Sequence, residues 1–189
     1  MPIRSKDKPL AELILFISER SEGDDRFGAA KLNKLLFYSD WIAYLKLGSP
    51  ITGQDYRRLI DGPVPRRILQ VRQQLIDDGS LAIRKSETLN RHQERTFALR
   101  EAELGGFTSE QIALVTHIID SCWNRTAAEV VALYDQLGGW EVVKIGATIP
   151  YDLAWASKRP PTEKERRRAL QDVDKAREML AGVAEMQDA

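Results

Sequence analysis

The pattern of apolar and polar positions is densest between Lys31 and Gly48, in the stretch KLNKLLFYSDWIAYLKLG. When this stretch is drawn as a helix, its apolar positions cover nearly the whole circumference, so we predict a helix buried on most sides. The other elements are expected to pack on it. Its few polar side chains must reach water, a partner or each other, because an unpaired polar group is costly to bury. They are Lys31, Asn33, Lys34, Ser39 and Asp40.

Shorter patterns predict the elements on either side. Between the central helix and Arg66, Tyr56 is expected to anchor a short extended segment, and Pro63 and Pro65 then favour a rigid turn. A further amphipathic helix is predicted from Arg66 to Ile76. The helix before the central one carries its apolar stripe at Leu10, Leu13, Ile14 and Ile17.

The period then changes from that of a helix to that of a strand. Leu81–Lys85 and Arg95–Leu99 alternate apolar and polar residues, and the polar link 86–94 is interpreted as a long hairpin turn. A two-stranded hairpin alone is marginally stable, so we expect it to lean on the helices or on the Tyr56 segment.

The C-terminal half returns to helical patterns with recognisable starts. Gly138, Gly139 and Trp140 are expected to end a helix whose stripe reaches Leu137, and Pro150 can open a short helix. The thin apolar seam of the tail, from Leu170 to Leu180, fits a lone amphipathic helix or a homodimer contact. Three pairs have capping-box spacing: Thr108 with Gln111, Thr126 with Glu129, and Thr162 with Glu165.

These patterns together predict an α+β, mostly α-helical protein. The predicted architecture is a compact helical domain around the buried central helix, with a small antiparallel β-hairpin or sheet in winged-helix-like order and a C-terminal helix. Residues 1–157 are expected to form this domain, and residues 158–189 a charged C-terminal helix or tail.

Composition removes several classes of function. The chain has 189 residues with 28 basic and 28 acidic side chains, so a balanced charge gives no overall support for binding nucleic acid or a membrane surface. The single cysteine, Cys122, excludes an intramolecular disulfide, and the N-terminal apolar run is too short for a signal peptide or a membrane span. We therefore expect a soluble cytoplasmic protein.

The candidates for catalysis or metal binding are few. His92 lies in the polar hairpin link, and His117 is expected to be half-buried on the helix after Thr108. Cys122 lacks a well-placed base, because His117 is five positions away, and no spacing suits a zinc site. The paired Asp residues and the Gly residues lie at predicted turns and helix ends, where these residue types are common for structural reasons. We therefore predict no catalytic residues, no metal, no cofactor and no enzymatic activity.

A DNA-binding regulator is the alternative to a protein-binding role. The predicted element order places the helix from Arg66 where a winged helix has its recognition helix. Arg66, Arg67 and Arg72 are then the candidate phosphate contacts. Acidic residues interleave with these and the other basic residues of the region, which also fits an ordinary solvated face of mixed charge.

The aromatic side chains of the central helix carry two interpretations as well. Phe37, Tyr38 and Trp41 fit a hydrophobic core. If part of this stripe is exposed beside Tyr56 and Trp140, it forms a partner groove instead.

Several of these segments, in this order and spacing, resemble one known family. KLNKLLFYSDW is followed by SPITGQDYRRLIDGPVP, by the hairpin, by FTSEQIALV and TAAEVVALYDQLGGW, and by IPYDLAW. This series resembles the Panacea domain, the SocA-like antitoxin domain, over roughly Leu10 to Trp155. The pair KLxKLLFYxD and ITGxxYxxxxxGPVP is the more specific part.

The resemblance implies a bacterial or phage protein of a type II toxin–antitoxin system, with a role in phage defence. Such a protein binds and neutralises a toxin encoded next to it, and some relatives deliver the toxin to a protease. The resemblance also implies a set of partner-binding residues at the motif positions: Lys31, Lys34, Tyr38, Asp40, Thr52, Gly53, Tyr56, Gly62, Pro63 and Trp140.

One pair of residues departs from the family pattern. Relatives often carry Ser-His shortly before the tryptophan, and here the matching positions are Tyr134 and Asp135. Any role that depends on that histidine is therefore not expected in this chain. The segment beyond Lys158 lies outside the resemblance and is a candidate for toxin-specific contacts.

Overall fold

The computed structural model describes residues 3–88, 91–156, 162–164, 166–168, 170–171 and 173. The chain divides into one compact unit, Met1–Ser157, and a second unit, Lys158–Ala189. All of the architecture described below belongs to the first unit. Within the described residues, no helix is both long enough and apolar enough to cross a membrane.

Helix α2, Ala29–Leu47, lies at the centre, as the apolar pattern predicts. Its backbone ends at Gly48, whose φ of +81° is the left-handed conformation that glycine adopts without strain. The phenyl ring of Phe37 packs edge-on against Tyr38 and Tyr56, with centroids 5.2 Å away in both cases. The side chains of Phe37, Tyr38 and Trp41 are at most 1% exposed. The interpretation of the aromatic stripe as core is therefore confirmed, and that of an open groove is wrong.

Within the described residues of this unit, four further α-helices surround α2 or follow it in the chain. Helix α1 spans Lys8–Arg20, α3 spans Ile68–Asp77, α4 spans Ser109–Ser121 and α5 spans Ala127–Leu133. Helices α1, α4 and α5 all pack against α2. Single 3₁₀ turns or short 3₁₀ helices occupy Ser5–Asp7, Leu104–Gly106, Asp135–Val142 and Tyr151–Trp155.

A small antiparallel sheet covers another side of α2. Strands β1, Tyr56–Leu59, and β2, Gly62–Pro65, pair with Tyr56 opposite Pro65. The predicted rigid turn at Pro63 is therefore wrong. Both prolines are accommodated because β2 is an edge strand, where a missing N–H does not interrupt the ladder.

The other edge of this sheet was not expected from the sequence. Strand β5, Thr148–Ile149, pairs with β1, with Tyr56 opposite Ile149. A segment of two residues is too short to show an alternating pattern.

The hairpin forms a separate two-stranded sheet of β3, Leu81–Thr88, and β4, Arg91–Ala98. The predicted turn over residues 86–94 is wrong, since the ladder continues to Thr88 opposite Arg91. Polar residues occupy strand positions there because backbone pairing does not require apolar side chains. The hairpin packs on α1, α2 and α3, as expected because an isolated two-stranded hairpin is only marginally stable.

The helix starts follow their sequence signals closely. Thr108 with Gln111 and Thr126 with Glu129 both form complete capping boxes. Helix α5 ends at Leu133, so Leu137 belongs to the following 3₁₀ helix rather than to the predicted longer stripe. Glu165, the partner proposed for Thr162, lies outside the described residues, as does most of the tail seam. The side chain of His92 lies outside them too.

Candidate partner-binding site

The family motifs meet around the carboxyl group of Asp40, which is fully buried on α2. The backbone N–H of Thr52 donates to Asp40 Oδ1 at 2.7 Å, and the Thr52 hydroxyl donates to Oδ2. The Tyr56 hydroxyl lies 2.8 Å from the same oxygen and 3.0 Å from the carbonyl of Leu36. Asp40 therefore joins the two motif segments, one on α2 and one on the path into β1.

A third segment, near the C-terminal end of the domain in the sequence, also contacts this network. The Tyr151 hydroxyl donates to the carbonyl oxygen of Gln54 at 2.8 Å and lies 3.3 Å from Asp40 Oδ2. Burial raises the pKa of Asp40 above its ordinary value, although the hydrogen bonds from Thr52 and Tyr56 oppose the shift. Burial also raises the pKa of the Tyr56 hydroxyl. Asp40 and Tyr56 are buried, whereas Tyr151 is only partly buried.

Lys34 carries the second interior contact of the motifs. Its side chain is 3% exposed, and its ammonium group donates to the backbone carbonyl of Asp61. Burial lowers the pKa of Lys34 to about 8, and the charge of Asp61 opposes that shift.

The residue after Asp61 must be small because of this lysine. Gly62 has φ +103°, and a Cβ atom there would lie 2.5 Å from Lys34 Nζ and 3.6 Å from the ring of Trp140. The glycine of the GPVP motif, the lysine of α2 and the later tryptophan therefore fit together as one packing unit.

Lys31 forms a buried ion pair at the start of the same helix. Its Nζ lies 2.5 Å from Asp24 Oδ2 and donates to the carbonyl of Cys122 at 2.6 Å. Both ionic side chains are 2% exposed. This pair connects α2 to the loop before it and to the C-terminal end of α4.

The two residues at which the resemblance implies Ser-His have different surroundings. The ring of Tyr134 packs on that of Tyr38 on α2 with centroids 4.5 Å apart. Asp135 is exposed at the start of the 3₁₀ helix.

Burial changes the interpretation of the motif residues as partner contacts. Nine of the ten are buried, and Gly53 alone among them is exposed. Their side chains contact one another and the core, so they do not offer a surface to a partner in this structure. The motifs describe how the domain is built. The nine are Lys31, Lys34, Tyr38, Asp40, Thr52, Tyr56, Gly62, Pro63 and Trp140.

Two of the three candidate DNA-binding arginines form ion pairs with carboxylates of the chain, and the third, Arg66, is within 3.5 Å of the Thr148 hydroxyl. Arg72 is 7% exposed and its NH2 lies 3.2 Å from Glu94 Oε2. Arg67 lies 3.2 Å from the carboxylate of the buried Asp7, leaving Arg66 as the exposed member of the three. Helix α3 begins at Ile68 rather than at Arg66 as predicted, so Arg66 and Arg67 precede it and Arg72 alone of the three lies on it.

The candidates for chemistry do not meet either. Cys122 is fully buried, and burial raises the pKa of its thiol. His117 is exposed on α4 rather than half-buried as predicted, because it lies on the helix face opposite to Val115 and Ile119. Among the residues that the structure describes, no group of three or more metal-binding side chains comes together.

A surface feature that the apolar pattern of the sequence does not predict lies at the end of β1. Leu59, Ile60, Val142 and Ile145 are 42%, 86%, 76% and 63% exposed, and we call these four side chains the apolar crest. The clue in the sequence was the run RRLIDG, where two apolar residues stand next to a turn with no core position left for them.

Comparison with known proteins gives one match. The family model described as "Antitoxin SocA-like, Panacea domain" matches residues 32–141, which is more than half of the chain. No curated protein and no solved structure matches. The matched range begins within α2 and ends just after Trp140, so it contains Asp40, Thr52 and Tyr56 of the interior network but not Tyr151. The chain belongs to the SocA-like, Panacea-domain family of antitoxins.

Proposed function

We propose that this protein neutralises a protein toxin by forming a stoichiometric complex with it, and that it acts without enzymatic chemistry of its own. Family membership supports the role, and one structural observation supports the mechanism. Charged and hydroxyl-bearing motif side chains form hydrogen bonds and ion pairs inside the domain, as Asp40 does with Thr52 and Lys31 with Asp24. The surface is left for binding. We expect this to take place in the cytoplasm.

The decisive experiment uses the product of the gene adjacent to this one as the toxin. That gene is expressed from an inducible promoter with and without this protein, and growth is followed. We expect growth arrest without the protein, rescue with it, and a complex of fixed stoichiometry on copurification. An adjacent product that is not toxic, or rescue without complex formation, would contradict the proposal.

A second experiment separates occlusion from delivery to a protease. The purified protein is added to the purified toxin in an assay of the toxin's activity, with no protease present. Inhibition that saturates at a fixed molar ratio supports occlusion. Rescue in cells combined with no inhibition in the purified system supports an adaptor role instead.

The DNA-binding alternative has a direct test in the upstream region of the gene. Binding through phosphate contacts weakens steeply as salt rises. Because Arg67 and Arg72 have intramolecular partners, we expect little binding and little effect of Arg66→Ala on it. Tight, salt-sensitive binding that Arg66→Ala reduces would favour the regulator.

A further inference from the structure

The apolar crest is formed by two segments that are both bound to Arg58. Beyond the last β1–β5 pair, Arg58 N donates to Ala147 O at 3.0 Å and Gly146 N donates to Arg58 O at 2.6 Å. The Arg58 guanidinium also donates to the carbonyls of Glu141 and Val143, the second at 2.5 Å. Val142 lies between those two carbonyls, and Ile145 directly precedes Gly146. Leu59 and Ile60 follow Arg58 in the chain, so all four crest residues lie at one end of the sheet.

None of these four exposed side chains belongs to the hydrophobic core or to the partly buried residues packed against it. Single exposed apolar side chains are ordinary on protein surfaces, but a concentration of them at one place usually marks an interaction site. At their exposed fractions the four side chains present apolar area on the order of 250 Å². That is about a third of the roughly 800 Å² per partner that a stable complex buries, and it matches the apolar centre of such an interface.

The polar residues around the crest indicate the chemistry of the partner. Arg57 and Lys144 are exposed beside it, and Asp61 is the exposed acidic residue of the turn that carries Ile60. Arg66 and Asp55 lie at the opposite end of β1, where Arg66 N donates to Asp55 O at 2.9 Å, and they are not part of this rim. With two cations and one carboxylate, the rim is slightly basic. An apolar recess with carboxylates at its edge complements this surface.

We propose that the apolar crest is the surface by which this protein docks onto its toxin, with Ile60 inserted into an apolar recess edged by acidic residues. This inference rests on the proposed antitoxin function and adds the location of the contact to it. The buried network supports the crest from behind, because Lys34 binds the carbonyl of Asp61, the residue that follows Ile60.

The test replaces crest residues and measures binding to the purified product of the adjacent gene. Ile60→Asp and Ile145→Asp each place a charge in the proposed apolar centre. Loss of one central residue typically weakens binding by about 30-fold or more. We expect that rise in Kd, measured by calorimetry, and loss of growth rescue in cells.

Leu99→Asp is the matched control. Leu99 is 60% exposed, close to the 63% of Ile145. Its backbone N–H donates to the carbonyl of Ser80, which follows the C-terminal end of α3. Strand β2 precedes the N-terminal end of this helix, and the helix spans roughly 15 Å. We expect its Kd to stay within about threefold of the unmodified protein. Circular dichroism and thermal melting check the fold of each variant, and Ile60→Ser replaces Ile60→Asp if the latter melts early.

The outcomes separate the two proposals. If the unmodified protein neither binds nor rescues, the proposed function fails and the crest assignment fails with it. If it rescues while both crest variants bind within threefold of it, the crest assignment alone fails. The assignment also fails if crest variants keep toxin binding and differ from the unmodified protein in another property instead. That property could be dissociation of a homodimer, measured by light scattering, or loss of binding to anionic lipid vesicles.

Discussion

Two regions of the domain reverse the usual rule that apolar side chains are buried and polar ones exposed. They are the interior network around Asp40 and the apolar crest at the end of β1. In the network, charged and hydroxyl groups are buried and bound to one another, as Lys31 is to Asp24. In the crest, Ile60 and Ile145 face solvent although they are apolar. The difference teaches that a family signature can describe the interior of a domain, its frame, while the contact surface proposed above is formed by other residues. A shared frame of this kind is compatible with partners that differ from one member to the next.

The largest effect is expected where the frame is most apolar. Trp41 is 1% exposed and its indole N–H donates to the carbonyl of Leu137 at 3.1 Å. Trp41→Ala should lower the free energy of unfolding by about 3–5 kcal/mol through the cavity it leaves. Denaturant unfolding measures it, and Trp155→Ala, at a ring 66% exposed, is the control. Equal losses for both variants would place Trp41 outside the core.

The second-largest loss of stability is expected at the buried carboxyl group of Asp40. Asp40→Ala leaves the donors of Thr52 and Tyr56 without their acceptor, and we expect a loss of about 3 kcal/mol in the free energy of unfolding. Asp40→Asn keeps one acceptor oxygen at similar volume and should cost less. Thr52→Val in the Asp40→Ala background should add little, because the interaction is already gone. Additive losses would show that Asp40 and Thr52 act independently.

The turn before the GPVP motif offers a matched pair of glycines. Gly62→Ala brings a Cβ atom to 2.5 Å from Lys34 Nζ at φ +103°, whereas Gly53, at φ +62°, has open space around it. We expect a loss of about 2 kcal/mol at Gly62 and about 1 kcal/mol at Gly53 in unfolding experiments. Lys34→Met in the Gly62→Ala background should recover part of the loss. No recovery would mean that the backbone conformation alone demands glycine.

The buried lysine predicts a dependence on pH. Because the pKa of Lys34 is about 8 in the folded protein and 10.5 when free, the unfolded chain binds more protons between these values. Stability from this group therefore rises with pH, by about 2 kcal/mol between about pH 7 and pH 9.5. The measurement is the difference in unfolding free energy between the unmodified protein and Lys34→Met. Taking the difference removes the contributions of the tyrosines and Cys122, and a flat difference would contradict the low pKa.

The smallest effect on stability is expected at the crest. Ile60 is 86% exposed, so Ile60→Asp should change the free energy of unfolding by less than about 0.5 kcal/mol. The same variant is the one expected to lose toxin binding. A large loss of stability would move Ile60 from the contact surface to the frame and remove the contrast between the two regions.

Much of the fold follows from the sequence because local signals and burial agree there. The apolar circumference of α2, the Gly48 stop and the capping boxes at Thr108 and Thr126 each predict what is observed. The need of Lys31 and Asp40 for partners was also predictable, since burial of an unpaired charge is costly. The partners themselves were not, because Cys122 and Thr52 come near only through tertiary packing.

The errors share a cause as well. Strand β5 and the pairing of Pro63 depend on a neighbouring strand and not on a local pattern. Partner binding at the motif residues stays a prediction, because a resemblance gives positions without their exposure. The crest was missed because two pairs of ordinary apolar residues, 59–60 and 142–145, become one feature only when Arg58 binds both segments.

The hydroxyl of Tyr151 reaches back across 111 positions to the carboxyl of Asp40, and Trp41 reaches forward across 96 to Leu137. Contacts so distant along the chain form slowly and only after synthesis has passed them. On the ribosome, a nascent copy therefore cannot close its core until Tyr151 has emerged from the exit tunnel. We expect a lag between the start of translation and completion of the fold.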